Sequence, residues 1–102
     1  MKYFLSVKQE ADKEAVESFV WYEKQREGLG KEFLVQVEKC LNAISSSPLH
    51  YQKIYKQYRH IPVRRFPFVI IFEIEGNSVV VYSVFHTSRN PNKKFKKIKL
   101  NK

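Results

Sequence analysis

The sequence predicts an α+β fold, with an N-terminal strand, a helical hairpin and then an antiparallel sheet, in the order β-α-α-β-β-β. Three observations carry this reading. Apolar residues recur at spacings of three and four through two segments parted by Gly28-Leu29-Gly30. After Pro48 the pattern changes to short runs rich in β-branched and aromatic residues. Gly76-Asn77 then divides two of those runs, which is the composition of a hairpin turn. The 102 residues leave room for one hydrophobic core, and 43% hydrophobic residues suffice to fill it.

Each element has a local cause. Tyr3–Val7 is a brief apolar stretch bounded by lysines and reads as a short strand. From Gln9 to Glu27, Ala11, Ala15, Phe19 and Tyr22 share one helical face. Most acidic residues of this segment come early, and Lys24 and Arg26 come late, which complements the helix dipole. Gly28 is the expected stop, because glycine enters the left-handed region without a steric cost. A second stripe of Phe33, Val37, Leu41 and Ile44, flanked by Leu34 and Cys40, predicts another helix that ends at Ser45-Ser46-Ser47-Pro48. The short connection forces the two helices to lie antiparallel.

Arg59–Arg65 alternates and places Arg59, Ile61, Val63 and Arg65 on one face of a strand. Pro62 lacks a donor, so this strand is expected at an edge or paired on one side there. Phe68–Glu75 and Ser78–His86 are expected to form a hairpin. Both of these strands are apolar on both faces, yet a helical hairpin covers only one face of a small sheet. The second face therefore needs a cover, either the chain after Thr87 folding back through Phe95 and Ile98 or a partner chain.

The formal net charge of +9 is unevenly spread. Residues 1–50 carry 7 Lys+Arg against 8 Asp+Glu, a net of −1. Residues 51–102 carry 12 against 2, a net of +10. That asymmetry implies an acidic partner, whether nucleic acid, acidic protein or anionic surface. No apolar run approaches the ~20 residues of a membrane span, and the N-terminus has too little apolar content for a signal peptide. The expectation is a cytoplasmic protein with one domain over residues 1–92 and a basic tail over 93–102.

Most enzyme constellations are absent from the sequence. Cys40 sits in an apolar stripe and reads as a packed thiol. His50, His60 and His86 lack metal-ligand spacing, so no metal is expected, and no cofactor motif is present. Gly28-Leu29-Gly30 follows no strand and is not read as a phosphate loop. What remains is basic and lies after Tyr51. A metal-free ribonuclease needs a base, an acid and cations around one phosphate. His86 is the candidate acid or base, and Arg59, Arg65 and Arg89 are the candidate cations. Arg59, Arg65, Arg89, Lys93, Lys94 and Tyr82 are the candidate nucleic-acid or partner contacts. The structural alternative is that Arg59 and Arg65 pair with helix carboxylates such as Glu14 or Glu17, with His86 simply closing a strand.

The sequence also resembles the ParE/RelE superfamily of toxins from bacterial type II toxin–antitoxin pairs, more closely its ParE branch. The residues carrying the resemblance are Ala11, Glu14-Ala15, Trp21-Tyr22-Glu23, Gly28-Leu29-Gly30, Phe33, Pro48 and Arg59. Arg65-Phe66-Pro67-Phe68 is similar to the family's Arg-Phe-Pro-Tyr segment, and His86-Thr87-Ser88-Arg89-Asn90-Pro91 to its His…Arg…Pro ending. The resemblance implies a toxin domain over 1–92 and a cognate antitoxin that wraps it. It implies DNA gyrase as the target if the chain follows the ParE branch. Ribosome-dependent mRNA cleavage is the RelE alternative, and a degenerate, non-toxic antitoxin binder is the third reading. A homodimer within the toxin–antitoxin complex is a further expectation. The chain departs from the pattern at Phe68, where tyrosine is usual, at Phe95, where tryptophan is frequent, and in lacking a catalytic tyrosine after His86.

Overall fold

In the computed structural model, residues 2–88 are described. They form strand β1 (Phe4–Val7), helices α1 (Gln9–Gln25) and α2 (Leu29–Ser46), and a short 3-10 turn at Pro48–His50. Four strands follow: β2 (Lys53–Tyr55), β3 (Tyr58–Pro62), β4 (Phe68–Glu75) and β5 (Ser78–His86). The five strands make one sheet in the order β1-β5-β4-β3-β2. β1 runs parallel to β5, and every other pairing is antiparallel. The expected element order is therefore present, with β2 as an addition.

The helical hairpin is tighter than the glycine pattern predicts. α2 begins at Leu29, so Leu29 and Gly30 belong to its first turn and not to the connection. Gly28 does take the left-handed conformation, at φ +89°. Glu23 of α1 accepts hydrogen bonds from the backbone N–H groups of Gly28 and Lys31, both at 3.1 Å. A side chain of α1 thus satisfies otherwise orphaned donors at the start of α2, and those bonds hold the Glu23 carboxyl below its ordinary pKa.

α2 buries Phe33, Val37, Cys40 and Ile44, while Leu34 faces solvent. The stripe is rotated from the predicted one so that Cys40 lies in the core and Leu41 at its margin. The opposing surface is the helix-facing side of the sheet, including Ile61, Val63, Ile70, Phe72, Val79 and Val81. Tyr22, Phe33, Phe66 and Phe68 meet as an aromatic cluster with ring centroids 4.9–6.2 Å apart. The second face of the sheet carries Tyr58, Val69, Ile71, Val80, Tyr82 and Phe85. Phe95 and Ile98, expected to help cover that face, lie outside the described residues.

β3 ends at Pro62, earlier than the alternation predicts. Pro62 is opposite Val69 on β4, while β2 reaches only Tyr58 and Arg59. The residue without a donor is thus paired on one side only, as expected. The chain then reverses through Arg64 and Arg65, and Arg65 adopts φ +72°. Arg65 consequently does not share a strand face with Arg59. Gly76, at φ +59°, turns β4 into β5 with Glu75 opposite Ser78. The β4–β5 ladder contains a bulge, because Ile71 is opposite Ser83 whereas Phe72 is opposite Val81.

Candidate functional site

The residues singled out from the sequence are spread over both faces of the sheet. Arg59 lies opposite Phe72, and its Nη1 donates to the carbonyl of Tyr51 at 2.6 Å. It ties the segment after the 3-10 turn to β3. Arg65 approaches Glu32 of α2 at 3.7 Å, with both side chains well hydrated. Such an exposed pair adds little stability. Arg65 therefore meets a helix carboxylate, as the structural alternative holds, but it is Glu32 and not Glu14 or Glu17, whereas Arg59 bonds main chain instead.

Tyr82 occupies the second face. Its hydroxyl donates to Glu73 Oε1 at 2.5 Å, and its ring meets that of Tyr58 edge-on. Burial, together with the negative charge of Glu73 and Glu75, pushes the phenol pKa far up, so the group stays a donor. Arg89, Lys93 and Lys94 lie outside the described residues.

His86 closes β5 opposite Phe68, and their rings pack edge to face at 5.2 Å. Its Nδ1 accepts from the Ser88 backbone N–H at 3.1 Å and lies 2.7 Å from Ser88 Oγ. An accepting Nδ1 assigns the proton of the neutral ring to Nε2, so His86 offers a donor there and has no free lone pair. His86 and Arg59 are remote from each other. Their strand partners, Phe68 and Phe72, are four residues apart on β4. Two strand spacings and four residue rises place their Cα atoms about 17 Å apart. The structure does not bring Arg59 and His86 to one phosphate.

His86 does border a cleft of about 590 Å³ between α1 and the adjacent end of the sheet. Glu14, Glu17 and Trp21 line the helix side, and Phe68, His86 and Ser88 the sheet side. Trp21 stands at the lip with 57% of its surface exposed. Among the described residues no lysine or arginine lines this cleft. The carboxylates of Glu14 and Glu17 on its helix side suit a partner group that donates hydrogen bonds or carries positive charge.

Glu14 has a role that the sequence did not reveal. Its Oε1 accepts from Ser83 Oγ at 2.9 Å and from the Val84 N–H at 3.1 Å, beside the bulge. A helix carboxylate thereby satisfies donors of β5 beyond Val81, where its pairing with β1 ends. The available signal was position, since Glu14 lies next to Ala15 on the stripe of α1 that faces the core. Glu14→Ala is expected to destabilise the fold by about 1–3 kcal/mol, because Ser83 is fully buried and both donors lose an acceptor. Glu14→Gln keeps a carbonyl oxygen there and should lose less. Urea midpoints of the two variants check this, and equal losses would contradict it.

A family profile described as the ParE toxin of the type II toxin–antitoxin system parDE matches residues 5–91. The chain belongs to the ParE toxin family. A comparison with curated proteins finds no match. Among solved structures, the chromosomal ParDE system of P. aeruginosa aligns with a TM-score of 0.74 at 10% identity, over 83% of this chain and 96% of the other. An arginine-to-alanine double mutant of the E. coli toxin RelE in the free state aligns at 0.67 and 20% identity, over 94% and 93%. The RelBE2 toxin–antitoxin complex of Mycobacterium tuberculosis aligns at 0.62 and 17% identity, over 87% and 95%. At these identities the likeness is one of fold. In this ParE-family chain the Arg65-Phe66-Pro67-Phe68 segment delivers two rings to the aromatic cluster. Phe68 is 7% exposed, so the absent tyrosine hydroxyl falls at a packed position.

Proposed function

We propose that this protein is a growth-inhibiting toxin of the bacterial cytoplasm, held inactive by a cognate acidic antitoxin, and that it acts by binding DNA gyrase. Family membership supports the toxin class. The observation that favours this target is that Arg59, one of the candidate cations, stands about 17 Å from His86 by strand geometry, while Arg65 lies on the turn leading into β4 and faces Glu32. A metal-free nuclease needs its cations and its acid or base at one phosphate. Arg59 is engaged with the Tyr51 carbonyl and His86 Nδ1 with Ser88. A protein that inhibits by binding needs no such convergence. The excess of positive charge in residues 51–102 suits both the DNA-associated target and the acidic antitoxin.

Two assays on the purified chain test this reading together. Gyrase supercoiling should be inhibited at micromolar concentration in low salt. Ribosome-bound mRNA should remain intact, and His86→Ala should leave the inhibition unchanged. Cleavage of mRNA that disappears in His86→Ala would replace this reading with the nuclease one. Normal growth when the chain is expressed without antitoxin would leave only a non-toxic antitoxin binder.

A further inference from the structure

The outer face of the helical hairpin is apolar at its centre. On α1, Val16 and Val20 stand about one turn apart and are 53% and 42% exposed. They lie across the helix from Ala11, which is in the core. Leu34 of α2, 37% exposed, extends the face. It follows Gly30 by one turn, so it shares the side of α2 that lies against Phe19 and Glu23. The antiparallel run of the hairpin sets it level with the two valines. Trp21 is turned about 100° away from Val20 and borders the cleft instead.

Charge separates to the two sides of the valines. Helical spacing puts Asp12 and Glu23 on one side, and Lys13 and Lys24 on the other. The acidic side is the one toward α2, since Glu23 accepts from the backbone of Gly28 and Lys31. Two α1 helices packed face to face and running in the same direction, about a two-fold axis, bring the acidic side of each against the basic side of the other. Val16 then meets Val16 and Val20 meets Val20. Lys13 of each copy meets Asp12 of the other, and Lys24 meets Glu23. The opposite direction would set Lys13 against Lys24 and Asp12 against Glu23, like charges together.

The charge balance also argues against a polyanion on this face. Residues 1–50 have a net charge of −1 and residues 51–102 a net of +10. An acidic protein or a nucleic acid is drawn to the second half, whereas two copies of the chain approach with least repulsion through the first. We propose that the chain pairs with a second copy of itself through α1, as a parallel two-fold dimer with Val16, Val20 and Leu34 at its centre. The interface is isologous and uses none of the sheet. Three apolar side chains are fewer than a standard interface buries, so the dimer is weak, with a dissociation constant of about 100 μM.

Sedimentation equilibrium of the whole purified chain, over concentrations that bracket this constant, tests the proposal. The native chain should pass from monomer to dimer. Val16→Gln with Val20→Gln should weaken pairing about tenfold or more. Lys13→Glu should weaken it about tenfold, because it faces Asp12 of the second copy. Exchanging the two charges, Asp12→Lys with Lys13→Asp, should restore it. Urea midpoints taken on dilute samples separate lost pairing from lost folding, and these exposed side chains should leave them within about 1 kcal/mol of the native chain. A native chain still monomeric at about 1 mM would overturn the proposal. So would pairing undiminished by the two glutamines, or pairing tightened by Lys13→Glu, the mark of the opposite direction. None of these readouts depends on toxicity or on the identity of the target.

Discussion

Phe33→Ala is expected to lower the unfolding free energy by about 3–5 kcal/mol. Phe33 is wholly buried and its ring meets those of Tyr22, Phe66 and Phe68 within 5.4 Å. These partners come from α1, from the reversal after β3 and from β4, so the side chain joins three separate parts of the chain. Truncation removes apolar area and opens a void between rings that cannot collapse together without moving a helix. A domain of this size has only about 5–15 kcal/mol in hand, so the variant should be partly unfolded at 37 °C and fail to arrest growth. Phe33→Leu fills much of the space and should lose about 1.5 kcal/mol. Urea unfolding of the two variants measures the difference at constant slope. A loss below 1 kcal/mol for the alanine variant would mean that the cluster is not the keystone of the core.

Gly30→Ala should also destabilise the fold, for the opposite reason. A Cβ at Gly30 would lie 2.5 Å from the carbonyl oxygen of Phe19, 2.6 Å from Glu23 Cγ and 2.8 Å from Phe19 Cδ1. The first of these is backbone and cannot rotate away, so α1 and α2 must part. Overpacking of this kind costs about 3 kcal/mol, against about 1 kcal/mol gained because alanine is the better helix former. The net expectation is a loss of about 2 kcal/mol. Gly28→Ala is the informative comparison. Nothing stands within 4 Å of its Cβ position, and only φ +89° opposes the change, so about 1 kcal/mol should be lost. If Gly30→Ala were neutral or stabilising, the close contact between the helices would be wrong.

The two helices and the β4–β5 hairpin were legible because their signals are local. Apolar spacing, a left-handed Gly28 and the Gly76-Asn77 turn all act within a few residues. β2 was not legible, since Lys53-Ile54-Tyr55 is three exposed residues that become a strand only by pairing with β3. The left-handed Arg65 was hidden in the same way, because alternation through Val63 continues smoothly while the backbone has already left the strand. Gly30 looked like loop and is helix, its small size serving the neighbour and not the turn. At the site, the sequence named His86 and Arg59 correctly as polar groups at strand positions but could not place them on the sheet. The Glu14 bond to Ser83 joins residues 69 apart, and no period in the chain encodes such a contact. The basic tail, including Arg89, Lys93 and Lys94, lies beyond the described residues.

The parallel contact between β1 and β5 has a consequence for the order of events during synthesis. It pairs Phe4 with Ser78 and makes β5 the strand between β1 and β4. Until residues 78–86 leave the ribosome, β1 has no neighbour and the helical hairpin has only part of its sheet. Contacts this distant in the chain form late and slow folding. The nascent protein therefore spends most of its translation with Phe33, Val37 and Ile44 incompletely covered, a window in which a partner already present can engage the chain before it matures.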